Sequence, residues 1–231
     1  LRPLFGEVGQ NQLEQVASIG NSQYIGAVFE LRTRYKKWGH GFGGSLRAVY
    51  TLSKLMDDGI VNTSEATYPG DFSSEWSRSL ADRRHRVAIT ATVDTPKWMG
   101  KLRLSPIFRW GSSAPFNVSA GGIDRSLDDI SNDRPNYNGD PKDIDWRVYG
   151  TQPFPAGLAG QFTYAPIGSP GNLPRNAGNG PASYSFNLNV TREFKFKERF
   201  RIRPTAEFTN LLNMNVFSFG SNFINFENLS S

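Results

Sequence analysis

The stretch of sequence from residue 183 to residue 212 reads SYSFNLNVTREFKFKERFRIRPTAEFTNLL, and it decides the fold. Apolar residues occupy nearly every second position on both sides of a short charged turn at Lys197-Glu198. Because successive side chains of a strand point to opposite sides, each half has one apolar and one polar face. Each half exceeds the usual soluble strand of about 5–6 residues and fits the roughly 9–11 residues of a membrane-spanning strand. The pattern predicts strands of a transmembrane β-barrel.

The same alternation recurs in four earlier segments. In one of them, Val87, Ile89 and Ala91 alternate with polar residues such as Arg86 and Thr90. The predicted strands span about 22–37, 41–54, 83–95, 100–111, 183–196 and 199–212. No segment has a convincing helical period. The sequence therefore predicts an all-β fold, an antiparallel barrel segment of about six strands that belongs to a larger barrel.

The connections between these strands alternate in length. Residues 38–41, 96–100 and 197–198 form short turns, whereas 55–82 and 112–182 form long loops rich in Gly, Pro, Asn, Asp and Ser. Outer-membrane barrels have short turns on the periplasmic side and long loops outside. Aromatic residues also gather at the short-turn end, as in the interfacial belt of such barrels: Tyr35, Trp38, Phe42, Trp98, Phe194, Phe196 and Phe200. Both features favour the outer membrane of a Gram-negative bacterium and contact with its lipid.

Composition excludes several other classes of protein. The 231 residues are 38% hydrophobic, contain no cysteine and carry a net charge of +5. No run approaches the ~18 apolar residues of a membrane helix, and the arginines follow strand faces instead of forming a block, so no nucleic-acid partner is expected. His40 and His85 lie at opposite ends of the predicted sheet and cannot share a metal. No phosphate loop, zinc spacing or nucleophile elbow occurs, so neither an enzyme nor a cofactor is expected.

The alternative fold is a soluble β-sandwich, whose strands also alternate. Such a protein would be a secreted or surface binding module that grips glycans or a partner protein through its long loops. Strand length, one-sided loops and the arginines on the polar faces favour the barrel. Arg192 interrupts the apolar face between Val190 and Phe194; close to the short turn, it can extend to the membrane interface, where a charge costs about 0–1 kcal/mol.

Six short motifs, in order, resemble a known family. Together they are similar to the C-terminal barrel region of TonB-dependent outer-membrane receptors, in particular the Oar-like branch. They are Ser22-Gln23-Tyr24; Tyr50-Thr51-Leu52-Ser53-Lys54 with Asp57-Asp58; Asp82-Arg83-Arg84-His85; Gly111-Ser112-Ser113-Ala114-Pro115-Phe116; Asp133-Arg134-Pro135; and Glu207-Phe208-Thr209-Asn210-Leu211-Leu212-Asn213. Ser113 stands where the family usually has glycine. The resemblance covers roughly residues 22–215.

The resemblance implies energised uptake of a solute, such as a siderophore, cobalamin or glycan, across the outer membrane. In this family a barrel of about twenty-two strands encloses a plug domain, and the TonB complex supplies energy. Six strands cannot close a membrane barrel, and Leu1-Arg2-Pro3-Leu4 is not a secretion leader. We therefore expect residues 1–231 to be a partial barrel domain, completed by further strands and by a plug that contacts TonB.

Arginines on the polar faces are the first candidate site. They would line the lumen, where they pair with acidic residues (Glu193, Glu207, Asp94 and plug residues) or attract anionic solutes. The lumen-facing candidates are Arg47, Arg84, Arg86, Arg103, Arg109, Arg201, Arg203 and Glu207.

The second candidate site is the Asp-rich part of the long loop. Asp124, Asp128 and Asp133 follow a pair of glycines, and Arg134 comes next. Carboxylates in such a loop can bind Ca²⁺, but the spacing is not that of an EF-hand. A solvated loop that hydrogen-bonds its own backbone is the favoured interpretation, and no metal is assigned beyond this weak calcium candidate.

Overall fold

A computed structural model describes most of the chain. The described residues are 18–59, 66–67, 71–121, 123–128, 130–144, 160–196, 200–214 and the backbone of 222–225. Within them the fold is all-β, and its helical parts are three-residue 3₁₀ turns: Gly39–Gly41, Ser73–Glu75, Lys97–Met99 and Pro141–Asp143. In the described part of the chain, no helix is long and apolar enough to cross a membrane.

Six strands in chain order form one antiparallel sheet, each paired with the next. They are β1 (Ser22–Arg32), β2 (Gly43–Asp57), β3 (His85–Asp94), β4 (Leu102–Gly111), β5 (Ser183–Arg192) and β6 (Thr205–Phe208). Among the described strands, β1 and β6 are the two edges of this path, so the sheet is an open meander. The all-β antiparallel fold expected from the alternation is confirmed.

The register of the sheet brings apolar residues into rows that cross several strands. In one row Leu31 lies opposite Ala48, Ala48 opposite Ile89, Ile89 opposite Phe108, and Phe108 opposite Phe186. Cross-strand neighbours on one face stand about 4.5–5.5 Å apart at Cβ. The sheet therefore presents one continuous apolar face.

The other face carries polar rows in the same register. Asp94 lies opposite Arg103, Arg103 opposite Thr191, and Thr191 opposite Thr205. The Thr191 and Thr205 hydroxyls lie 3.1 Å apart. We call the two sides of the sheet the apolar face and the polar face.

The apolar face has no second layer against it among the described residues. On β1, Ile25 and Phe29 are each 62% exposed and Leu31 is 60% exposed. The buried apolar residues of the described chain instead lie in the loops: Ala66, Phe116, Val118, Ala120, Tyr137, Ile144, Phe162, Ala165 and Leu173. A β-sandwich would bury the apolar face against a second sheet, and this arrangement does not.

Several strands end differently from the prediction. The first predicted strand splits into Ser22–Arg32 and the short Lys36–Lys37, and β2 continues to Asp57 instead of ending at residue 54. The last two continue as a separate hairpin of Phe194–Phe196 with Phe200–Ile202. The sixth ends at Phe208, four residues early.

Backbone chemistry explains the two changes in the last strand. Pro204 has no N–H to donate, and it lies between Ile202 and Thr205, where the strand is interrupted. Asn210 has φ +47°, in the left-handed region, and its side chain bonds the backbone of Met214 in both directions. An asparagine in this conformation ends a strand.

The two short turns within the described residues form where they were predicted. The turn after β3 contains Lys97–Met99 and closes on Gly100, whose φ of +84° is left-handed and suits glycine. The turn before β2 contains Gly39–Gly41. The third predicted turn, Lys197-Glu198, lies outside the described residues.

The long loops have a structure of their own, which we call the loop cap: the described parts of 55–82 and 112–182. Its short strands are Ser77–Arg78, which pairs with β2; Pro115–Ser119, which pairs with Gly178–Asn179 and in parallel with Asn222–Asn225; and Asn136–Tyr137, which pairs with Phe162–Thr163. Gly171 fits only without a side chain, because a Cβ there would lie 1.8 Å from the Arg134 carbonyl oxygen.

Candidate functional site

Three of the predicted lumen-facing arginines pair with acidic residues of this chain. Arg103 binds Asp94 with two hydrogen bonds, of 2.7 and 2.9 Å, and the Tyr35 hydroxyl donates to the same carboxylate at 2.6 Å. Arg47 pairs with Glu30 at 2.7 Å. Both arginines and Glu30 are exposed and Asp94 is partly buried, so water and salt screen the two pairs and weaken their contribution to stability.

The third pair lies at the short-turn end of the polar face. Arg203 lies 2.7 Å from Glu193, and Lys195 approaches the same carboxylate at 3.7 Å. Asp94 and Glu193 were expected to pair with arginines, and both do. Glu30, which pairs with Arg47, was not anticipated as a partner.

The remaining candidates have no ion pair among the described residues. They are Arg84, Arg86, Arg109, Arg201 and Glu207. Of these, Arg86 donates to the Ala81 carbonyl oxygen at 3.2 Å. Arg86 and Arg109 line an open depression of about 500 Å³ on the polar face, at the end of the sheet next to the loop cap. Near the short turns, the candidate arginines of the polar face have carboxylate partners, with the exception of Arg201. Near the loops, Arg86 and Arg109 have no carboxylate partner among the described residues.

Inside the loop cap, Glu75 and Arg134 form a buried ion pair that joins the two long loops. Arg134 donates to both oxygens of Glu75, at 2.8 and 3.1 Å, and its Nε donates to the Leu173 carbonyl oxygen at 2.8 Å. The side chains of Arg134 and Glu75 are 7% and 3% exposed. Arg134 was a candidate residue of the long loop, and its side chain lies buried inside the cap.

The pKa of Glu75 is set by opposing causes. Burial raises the pKa, but the hydrogen bonds and charge of Arg134, together with the hydrogen bonds from Thr67, hold it below the ordinary value. Thr67 donates to Oε1 from its hydroxyl at 2.6 Å and from its backbone N–H at 3.2 Å. The carboxylate is therefore charged and fully bonded within the cap.

A second set of contacts ties the cap to the end of β2. Arg175 donates to the carboxylate and the backbone oxygen of Asp57, and its Nε donates to the Glu75 carbonyl oxygen at 2.9 Å. Asp82 accepts from the backbone N–H of Leu55 at 2.9 Å. The sequence did not indicate Glu75 and Arg175 as candidate residues, because nothing in the alternation or the motifs distinguishes them from other charged loop residues.

Several of the motifs quoted for the family resemblance lie at this junction. Asp82 also accepts from Arg78 at 2.9 Å, Asp58 accepts from the backbone of Asn21 at 2.7 Å, and Phe116 is 2% exposed. His85 shares a 2.8 Å hydrogen bond with the Tyr50 hydroxyl, as expected for a residue at the rim. Asp57 and Asp82, from two of these motifs, thus hold the loop cap on the end of β2.

The Asp-rich loop bonds mainly to its own backbone. Asp133 accepts from the backbone N–H groups of Arg125 and Ser126, and Asp124 accepts from Leu127 and Asp128. Asp133 is 2% exposed, so this loop is packed and not simply solvated as expected.

The described residues of this loop do not group their carboxylates as a calcium site requires. Among the described residues, no group of three or more His, Cys, Asp or Glu is placed to hold a metal ion. Burial raises the pKa of Asp128, and the neighbouring carboxylates of Asp124 and Asp133 raise it further. The three carboxylates therefore repel one another and mainly cap the loop backbone.

Arg192 lies on the apolar face, and its side chain extends toward the short-turn end of that face. Its guanidinium lies 4.6 Å from the centre of the Phe194 ring, and the guanidinium nitrogen Nη1 approaches Gly100 in the short turn. Nearby, the rings of Phe42 and Trp98 meet edge to face at 6.4 Å. This is the geometry of a long cationic side chain that extends to a membrane interface.

A comparison with known protein families supports the assignment of this sheet to an outer-membrane barrel. The family profile described as "Outer membrane beta barrel domain" matches residues 1–229. No curated protein matched the chain significantly, and no solved structure did. The apolar face accordingly faces lipid, the polar face lines the barrel interior, and the protein resides in the outer membrane of a Gram-negative bacterium. The chain belongs to the outer membrane beta barrel domain family.

Proposed function

We propose that this chain is the C-terminal part of the barrel of a TonB-dependent receptor, which takes up a solute across the outer membrane with energy from the TonB complex. A plug and further strands, in this proposal, complete the barrel around the polar face. The solute is a siderophore, cobalamin, a glycan or a similar compound. The absence of enzymatic activity, of a cofactor and of a nucleic-acid partner stays a prediction.

The observation that carries the proposal is where the resembling motifs lie. Asp57, Asp82 and Asp133 are each less than 4% exposed, and all three accept hydrogen bonds from the loop cap or from the strand ends. Ordering such a cap costs conformational entropy. A simple diffusion pore does not require an ordered cap. A structured cap above a charged lumen suits capture of a specific solute.

Energy dependence is the property that tests this proposal. A strain that carries the full-length protein should accumulate its solute, identified by growth on a panel of ferric siderophores, cobalamin and oligosaccharides, only while TonB is present. Deletion of TonB, or a protonophore, should abolish accumulation while surface binding persists. Accumulation that continues without TonB would assign the protein to passive pores instead.

A further inference from the structure

Three arginines converge on the polar face beside the loop cap. Gly111 lies opposite Arg86 on β3 and opposite Ser183 on β5. A Cβ at Gly111 would lie 4.0 Å from Cδ of Arg83, so the Arg83 stem crosses the polar face over this glycine. Arg109, two residues earlier on β4, faces the same side. We call Arg83, Arg86 and Arg109 the arginine cluster.

The cluster lines one depression together with hydroxyl groups. The depression has a volume of about 500 Å³, and its walls include the arginine cluster with Thr51, Ser183 and Ser185. Guanidinium groups present planar pairs of N–H donors, and hydroxyls add single donors. The polar groups of the depression are thus mainly positively charged hydrogen-bond donors and hydroxyls, set among apolar residues such as Val49 and Ala88.

The carboxylates of the described chain leave this charge unbalanced. Arg83 donates to the carbonyl oxygens of Leu80 and Asp82, at 3.3 and 3.0 Å, and Arg86 donates to that of Ala81. Asp82, whose charge acts on Arg83, is already bonded by Arg78 and by the Leu55 amide. Carbonyl oxygens orient the guanidinium groups but do not neutralise them.

Electrostatics within the cluster point the same way. Burial lowers the pKa of Arg83, and the positive charges of Arg86 and Arg78 lower it further, against the opposing effect of Asp82. Like charges held together without a counter-charge raise the local concentration of anions. The short-turn end of the same face differs, because Arg103 and Arg203 there each have a carboxylate.

We infer that the arginine cluster is a binding site for a multivalent oxyanion, a solute that carries several phosphate or carboxylate groups and enters the lumen beneath the loop cap. Bidentate guanidinium contacts suit both groups. The inference rests on the proposed function in one respect, because it names the class of solute. Binding itself requires no TonB, so the two proposals can fail separately.

The test is calorimetric titration of the full-length protein in detergent micelles with inorganic pyrophosphate and with citrate. The double variant R86Q/R109Q should raise the Kd by about tenfold or more, as expected on loss of charged hydrogen bonds. The matched control R47Q/R103Q removes the same charge from the same face, but at arginines that already have carboxylates. We expect it to change the Kd by less than about threefold.

The single variant R109Q guards against misfolding, because Arg109 is exposed and none of its contacts with described residues is an ion pair; it should also weaken binding. Stronger binding of pyrophosphate than of citrate assigns phosphate groups to the solute, and the reverse assigns carboxylates. Equal weakening by the two double variants would overturn the inference, because only the general field of the lumen would then matter. Failure of the wild-type protein to bind either anion would also overturn the inference. Carboxylates of another segment that already occupy the arginine cluster would give this result.

Discussion

Adjacent residues in β3 meet different surroundings. Ile89 lies in the apolar row between Ala48 and Phe108, whereas Thr90 lies on the polar face between Arg47 and Ile107. Both positions are near the middle of β3, which begins at His85 and ends at Asp94. The cost of a charge should therefore depend on which of the two neighbours carries it.

We expect Ile89→Arg to destabilise the folded protein by ~2–4 kcal/mol, the cost of an arginine near the bilayer midplane on the lipid face. Thr90→Arg, one residue away in the lumen, should cost less than about 1 kcal/mol. Urea unfolding of the protein in phospholipid bilayers measures both. Similar costs at the two positions would contradict the assignment of the faces.

Arg192 is the exception on the apolar face, and its position near the short turn predicts a small effect. Arg192→Leu should change the free energy of unfolding by less than about 1 kcal/mol, because a charge at the interface costs only about 0–1 kcal/mol. The same unfolding experiment measures it. A gain of several kcal/mol would mean that the guanidinium lies deep in the bilayer.

At the scale of elements, the buried Glu75–Arg134 ion pair joins the two long loops of the cap. Removal of one partner of such a pair costs roughly 3–5 kcal/mol of stability, because the other charge stays buried. We expect this loss for Arg134→Met, seen as faster amide hydrogen exchange in Ser73–Glu75. The double variant E75M/R134M should recover most of the protection, since neither charge then remains. If the double variant is worse than the single one, the ion pair contributes more than its burial costs.

The loop cap should also loosen in acid. The folded-state pKa of Glu75 is lowered, so its stabilising contribution is present above the ordinary value of 4.5 and is lost as the pH falls through the folded value. Limited proteolysis of the cap should therefore accelerate below about pH 4.5. The acceleration should be smaller in Glu75→Gln, which cannot titrate. An identical pH profile in that variant would place the titration elsewhere.

The sheet could be predicted from the sequence, whereas the cap could not. Alternation is a local property of the chain, and it located β3 and β4 to within two residues at each end. The cap depends on contacts between distant residues: Arg134 meets Glu75 across 59 positions, and Arg175 meets Asp57 across 118. Periodicity contains no information on such pairs.

For the candidate site, the sequence predicted which face the arginines lie on but not which partners they have. The strand pattern placed Arg47, Arg103 and Arg109 on one face, as the register has them. It could not say which of them has a carboxylate partner, because the Arg47–Glu30 pair depends on the diagonal neighbours of β1 and β2. Arg83 was missed because it opened the predicted strand 83–95, where alternation with Arg84 and Arg86 puts it on the opposite face. The strand begins only at His85, so alternation does not give the direction of the Arg83 side chain.

At the scale of the whole molecule, the orientation of the sheet follows from its two faces. One face of β5 contacts Phe108 and Phe208 through Phe186 and Leu188, and the other bears Asn187 opposite Ile107. Backbone groups at an open sheet edge cost several kcal/mol each in lipid. The edges β1 and β6 therefore need partners in the membrane, and only the apolar face can meet lipid directly.

Single cysteines test this orientation cleanly, because the 231 residues contain no cysteine. An environment-sensitive fluorophore attached at Leu188→Cys should be quenched by bilayers of brominated phospholipid, since Leu188 faces the acyl chains. The same fluorophore at Asn187→Cys, one residue away, should be quenched weakly by the lipid and strongly by iodide in water. Equal lipid quenching at both positions would mean that the sheet has lipid on both sides and encloses no lumen. Iodide access at both would mean that the apolar face is not in the membrane.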